Sequence, residues 1–326
     1  MTAPAVVSAL TVDVEDYFQV QALADTVPRA AWEDMPRRVE KNTERLLAAF
    51  DRAGVHATFF VLGWVAERHP ALIRRIVAGG HELASHGHGH ERVDRLGPAG
   101  FRADIRRTRR RLEDTGGVAV VGYRAPTFSL NAATPWAFAI LAEEGHRYSS
   151  SVYPVQHDLY GTPGAPRFPY RPDAGLLWEI PMTTLRTLGR NLPCSGGGWF
   201  RVLPYPAFRL ALRRFHQAHA APGVFYTHPW EIDPGQPRLA VRNRLSRFRH
   251  YVNLSRTAGR LERLLEDFAW DRMDRVFAGV LGEDGGNPAS RRQFTTSAAA
   301  GGRTPASASA GRPADAASGG PGHTGR

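Results

Sequence analysis

Short runs rich in β-branched and aromatic residues alternate with helix-length amphipathic stretches along most of this chain, and few folds accept that alternation. Residues 6–14 read as a buried strand, and residues 36–53 as a helix with Pro36 near its first turn and Gly54 after its end. The run 56–62 is strand-like, 64–78 has helical spacing and stops at Gly79-Gly80, and 82–85 reads as another short strand. The order continues with a helix over 98–114, a strand over 118–123 and a helix over 132–144. Strands over 176–181 and 224–227 and helices over 206–219 and 256–268 complete it. Repeated strand-then-helix order predicts an α/β fold in which a parallel sheet is closed or wound by helices. In barrels of that kind the active residues lie just past the C-terminal ends of the strands. The residues there therefore carry most of the functional information.

The 326 residues suit one large domain or two modest ones, and 42% hydrophobic with 22% charged residues reads as soluble and globular. No apolar run reaches the roughly 18 residues of a membrane span. The first strand runs into Asp13, Glu15 and Asp16 and lacks the basic start of a secretion signal, which points to the cytoplasm, at or near the inner-membrane surface. The single cysteine, Cys194, permits no internal disulfide and fits a reducing compartment. A formal charge of +11 raises nucleic acid as a partner. The arginines are scattered, however, and the cluster Arg106 to Arg111 lies on a helical segment, where a solvated face is the commoner explanation. An acidic polysaccharide or an anionic membrane surface would account for the charge equally well. From Glu283 onward the chain is rich in Gly, Ala, Ser, Pro and Thr, which predicts a disordered tail after a domain over 1–282.

Four segments carry chemistry. Thr11-Val12-Asp13-Val14-Glu15-Asp16 delivers three carboxylates at a strand end. Asp13 and Glu15 share a face in extended chain, which suits one metal ligand beside one general base; a solvated strand end is the bland alternative. In Ser85-His86-Gly87-His88-Gly89-His90 the first and last histidines are four apart, so a helical turn would place both imidazoles on one ion with His88 pointing elsewhere. A His-rich surface loop is the alternative. Two histidines plus one carboxylate leave the open position of a catalytic zinc site. Arg124 and Pro126 follow a strand end, where a guanidinium would orient a carboxylate. His228 ends the strand 224–227 and reads as a general acid, although a lone histidine there is more often structural. Trp199, Tyr226 and Trp230 suit either sugar stacking or the core.

In this order the four segments resemble the polysaccharide deacetylase family (NodB homology, carbohydrate esterase family 4). The resemblance implies a distorted (β/α) barrel with a His-His-Asp metal site. Its His-x-x-x-His motif matches His86 and His90, its Arg-x-Pro motif matches Arg124 and Pro126, and its late-strand histidine matches His228. The family's Thr-Phe-Asp-Asp-Gly is replaced by the carboxylate run above. Asp13 aligns with the base, and the carboxylate ligand is Glu15 or Asp16, with strand alternation favouring Glu15. The acid that usually pairs with the arginine is replaced by Ser149. The resemblance further implies one divalent ion, zinc first with cobalt or nickel as alternatives, and an acetylated polysaccharide or oligosaccharide contacted by Tyr123, Pro126, Trp199 and Trp230. Over about residues 8–280 the segments VDVEDYF, SHGHGH, YRAPTFS, HDLYG, GGGWFR, THPWEID and FRHYVNL look like the subgroup found beside exosortase and exopolysaccharide gene clusters. That implies removal of N-acetyl groups for an exopolysaccharide assembly machinery, with no nucleic acid. A C–N hydrolase of small amides and a silent carbohydrate-binding protein on the same scaffold are the rival readings.

Overall fold

Strand β1 (Val7–Val14) organises the computed structural model, which describes residues 6–172, 175 and 177–282. After β1 come α1 (Val39–Ala53), β2 (Thr58–Val61), α2 (Gly63–Arg68), α3 (Pro70–Ala78) and β3 (Glu82–Ser85). Then follow α4 (Val93–Gly116), β4 (Gly122–Tyr123), α5 (Trp136–Glu143), β5 (Tyr148–Ser149) and β6 (Trp178–Glu179). A hairpin of β7 (Thr184–Thr187) and β8 (Arg190–Pro193) leads into α6 (Gly197–Val202), α7 (Tyr205–His219) and β9 (Val224–Thr227). The described chain ends with α8 (Arg244–Tyr251), α9 (Leu254–Asp267), β10 (Ala269–Asp271), α10 (Met273–Val276) and α11 (Ala278–Leu281).

The main sheet is parallel throughout. β1 pairs with β2, β9 and β10, and the order runs on from β2 through β3, β4 and β5 to β6. This is the expected α/β architecture, a sheet curled into a partial barrel. The gap between β6 and β9 is spanned differently. Thr183 receives the Val224 amide on its hydroxyl at 2.6 Å, Ser195 donates to the Thr183 carbonyl at 2.8 Å, and Tyr226 donates its amide to the Ser195 carbonyl at 2.7 Å. Local bridges there stand in for a continuous ladder, which is the distortion of the barrel.

Period-2 alternation separates two cores. Leu10, Val12 and Val14 of β1 face the helices, where Leu46 and Phe50 of α1, Ile73 of α3 and Leu264 of α9 cover them. Ala9 faces the barrel interior with Phe60, Ala84, Tyr148 and Tyr226. The interior positions of β1 become polar toward its C-terminal end, at Thr11 and Asp13, and both are buried.

Several expected elements change at identifiable residues. The helix expected over 64–78 breaks into α2 and α3 because Pro70 forces His69 out of the helical region, to φ −128° and ψ 56°. The helix expected from Pro98 starts earlier, at Val93, across a kink at Gly97 (φ 65°). The strands expected over 118–123 and 176–181 shrink to two residues each. The hairpin β7–β8 was not expected at all, since its turn uses Leu188 and Gly189, both with positive φ, without the usual Asn-Gly signal. The tail expected to be disordered, from Glu283, lies outside the described residues. Among the described residues no helix is long and apolar enough to cross a membrane.

Candidate metal and catalytic site

Four parallel strands end on one side of the sheet, and each hands over a functional side chain there: Asp13 and Glu15 at β1, His86 after β3, Arg124 after β4 and His228 after β9. With His90, all of them except the buried Arg124 line one pocket of about 330 Å³. Glu15 reaches it through a tight turn, its amide donating to the Asp13 carbonyl at 3.1 Å, and not by strand alternation. The expectation of a helical turn across the histidines is also corrected. Residues 86–90 form a loop in which Gly87 (φ 72°) and His90 (φ 55°) are left-handed. The Gly87 and His88 carbonyls accept from the first amides of α2, at 2.9 Å each, and the Asp104 carboxylate of α4 accepts from the His88 amide. The loop is thereby pinned with His86 and His90 inward, while His88 turns away to Glu67, 3.1 Å distant.

Glu15, His86 and His90 each offer one ligand atom, and these atoms lie within 4.8 Å of one another. The set suits a divalent cation. His86 donates from Nδ1 to the Arg124 carbonyl at 2.9 Å, so its Nε2 keeps a free lone pair. Burial pushes the His86 imidazole down to about 4, against the pull of Asp13, so it is neutral near pH 7. Burial alone would raise Glu15, but the imidazoles of His90 and His228 outweigh it and hold the carboxyl at about 2. Glu15 Oε1 accepts from the Trp230 indole at 3.2 Å; Oε2 is buried, 2.8 Å from His90 Nε2, and makes no hydrogen bond. An anionic oxygen left in that position fits a ligand to a cation.

Asp16 goes elsewhere. Its Oδ2 accepts the amides of Arg38 and Val39 at 2.7 and 2.9 Å, which satisfies the start of α1. Asp13 points into the pocket with one oxygen engaged: Arg124 Nη1 donates to Oδ1 at 2.6 Å, and Oδ2 lies 3.9 Å from His228 Nε2. Arg124 is fully buried over the Phe60 ring, and it also donates to Thr11 Oγ1, the Ser150 carbonyl and Ser150 Oγ.

His228 is flanked by groups the sequence reading did not single out. Glu231 Oε2 stands 3.4 Å from its Nδ1 and accepts from the Thr227 hydroxyl at 2.9 Å, while Arg201 donates to Glu231 Oε1 at 2.9 Å. Burial opposes charge on His228, yet Glu231, Glu15 and Asp13 together raise it to about 9. Both Arg201 and Glu231 lie inside the GGGWFR and THPWEID segments, which the subgroup resemblance implies line the substrate groove; holding His228 was not part of that reading. Of the expected substrate contacts, Trp199 is half-buried on the pocket wall. Trp230 is buried between His228 and His250, stacked on His250 at 4.5 Å, and its N–H holds Glu15. Tyr123 packs against Phe101 and His146, and Pro126 sits beside Gly87 behind the histidine loop. The structure does not bring those two to the pocket wall.

The geometry meets a family at this point. Residues 29–148, which include the histidine loop and Arg124, match the family model described as polysaccharide deacetylase. Residues 150–278, which carry His228, match a model described as a domain of unknown function, DUF3473. The chain is 30% identical over 118 residues to a peptidoglycan deacetylase-like protein of Gibberella zeae, covering 36% of this chain and 34% of that one. It is 44% identical over 57 residues to a chitooligosaccharide deacetylase of Bradyrhizobium, covering 18% and 26%. The chain thus spans about a third of these curated relatives or less. A solved structure of a protein assigned as a polysaccharide deacetylase, from Mycobacterium smegmatis, superposes with a TM-score of 0.53 at 22% identity, over 96% of each chain. At that identity the likeness establishes the fold, the curled α/β sheet of the deacetylases.

Proposed function

We propose that this protein is a metal-dependent deacetylase that removes N-acetyl groups from the amino sugars of an exopolysaccharide or its precursor. The observation that carries the reading is the convergence of Glu15, His86 and His90 beside an Asp13–Arg124 pair and His228. Glu15, His86 and His90 would hold the divalent ion, zinc by the donor set. When bound, the ion would polarise the amide carbonyl and acidify water.

The chain's own groups supply the rest. Arg124 fixes Asp13 through Oδ1, which leaves Oδ2 to take a proton from the attacking water as general base. His228, raised to about 9, is protonated near neutral pH and donates to the departing amine, which is too poor a leaving group to go unprotonated. Glu231, held by Arg201 and Thr227, keeps that imidazolium oriented. Trp199 on the pocket wall is placed to stack on a sugar ring. The names of the curated relatives support an acetylated-saccharide substrate, and the resemblance of residues 8–280 to deacetylases beside exopolysaccharide gene clusters supports the polymer class and work alongside an assembly machinery.

The test is acetate release from N-acetylhexosamine oligomers after chelation and after zinc or cobalt is restored. Activity should vanish and return. Asp13→Asn should keep one ion per chain and lose about 10²- to 10⁴-fold in kcat. Full activity of that variant would remove Asp13 from the role. No release together with one bound ion would favour the small-amide hydrolase, and no release without an ion would favour a silent binding protein.

A further inference from the structure

The pocket mouth is unusual for a site that takes a hydrated saccharide. Three apolar side chains on its rim face solvent: Val202 at 40%, Leu245 at 50% and Phe248 at 55% exposure. Leu245 and Phe248 are three apart on α8, so they lie on one side of the helix. Phe248 is also one wall of a neighbouring surface groove lined by Arg238, Arg244 and Arg247.

The charge around this rim is one-sided. From Pro234 to Leu261 the chain contains seven arginines and no Asp or Glu. Arg249 pairs with Asp158 at 2.9 Å. Arg238, Arg242, Arg244 and Arg247 are exposed and, among the described residues, form no ion pair. Four arginines of α4 behave otherwise: Arg102 and Arg106 pair with Glu144, Arg107 with Glu67 and Arg109 with Glu113. Those four charges are neutralised locally, and the four beside the pocket mouth are not.

We infer that α8 and the rim around it dock on an anionic phospholipid bilayer, with the mouth of the pocket against the headgroup layer. A short helix that presents leucine and phenylalanine on one side and unpaired arginines on the next matches the interface, where apolar side chains enter the acyl boundary and cations meet lipid phosphates. An acidic saccharide would satisfy the arginines but would leave Val202 and Leu245 without a partner. In this position the pocket receives an acetylated sugar carried on a lipid anchor at the membrane surface. That last consequence rests on the deacetylase reading, whereas the docking itself does not.

Sedimentation of the full chain with vesicles tests the docking and reads no catalysis, so its failure would leave the deacetylase reading intact. Binding is expected to phosphatidylcholine vesicles containing about one-third phosphatidylglycerol, and to be weak without the anionic lipid. R244Q/R247Q should lower partitioning about 25-fold, at roughly fivefold per arginine, while R244K/R247K keeps it. Phe248→Ser should lower it about tenfold with the melting temperature unchanged. Equal binding to neutral and anionic vesicles, or binding indifferent to these substitutions, would overturn the inference. So would a lack of vesicle binding combined with salt-sensitive retention on an acidic polysaccharide, which would make the groove a saccharide subsite.

Discussion

Arg124 takes a positive charge into the barrel interior and touches one carboxylate there, Asp13. Ser149 stands where an acid was expected to hold this arginine. Glu179 occupies the partner position on β6, in register with Ser149, and is fully buried. Its Oε1 accepts the amides of Ser151 and Val152 at 2.8 Å each, tying down the segment whose Ser150 carbonyl and hydroxyl receive Arg124. Burial raises the Glu179 carboxyl, while Ser149, those amides and the Arg124 charge oppose it. The missing acid has moved one strand over and acts through the backbone. Glu179→Gln, which keeps one acceptor, should lower kcat about tenfold with KM little changed; an unchanged kcat would show Arg124 to be held without it. None of this was legible in the sequence. A carboxylate on β6 and an arginine after β4 carry no spacing signal, and the choice between Glu15 and Asp16 depended on Arg38 and Val39, more than twenty residues away. His86, Arg124 and His228 were legible because each directly follows a strand, Asp13 because it stands near the C-terminal end of β1, and His90 by its spacing from His86.

At the scale of elements, strands of four or more buried residues were legible as apolar runs, as at β1, β2 and β9. The two-residue strands β4, β5 and β6 owe their existence to neighbours already in place. The turn into α6 shows how exacting such packing is. Gly196 (φ 120°) lies against β9 so closely that an added Cβ would meet the Tyr226 carbonyl oxygen at 2.0 Å. Tyr226 stands two residues before His228, so the turn and the strand end that carries His228 are set together. Gly196→Ala should destabilise the protein by about 2–4 kcal/mol in urea titration. A loss below about 0.5 kcal/mol would mean that the turn yields without disturbing β9.

Across the whole molecule, buried histidines set the response to acid. Burial pushes His81 and His216 down to about 4, and His146 and His250 likewise, to about 4 and about 3. His81 Nδ1 accepts the Ala57 amide at 3.1 Å, a bond available only to the neutral ring. These folded values lie below the ordinary histidine range, so the unfolded chain binds more protons between roughly pH 6.5 and 4. The stability they allow is complete above that window and is lost as pH falls through it. Each should cost about 1–2 kcal/mol, read as a lower urea midpoint at pH 5 than at pH 7. Equal midpoints would contradict it.

The position of β1 has a consequence for how the protein comes into being. It leaves the ribosome ahead of every other strand described here, yet its pairing residues Val7 to Ala9 wait for Ala269 to Asp271 and its residues Ala9 to Val12 for β9. Until then β1 can pair only through Thr11 to Val14 with β2, and its other edge stays open, which invites wrong pairing between chains on the same message. Cotranslational folding cannot finish the sheet from its middle outward. Asp13 and Glu15 meet His228 only once β9 has been made, so no chain that stops short of it can assemble the site.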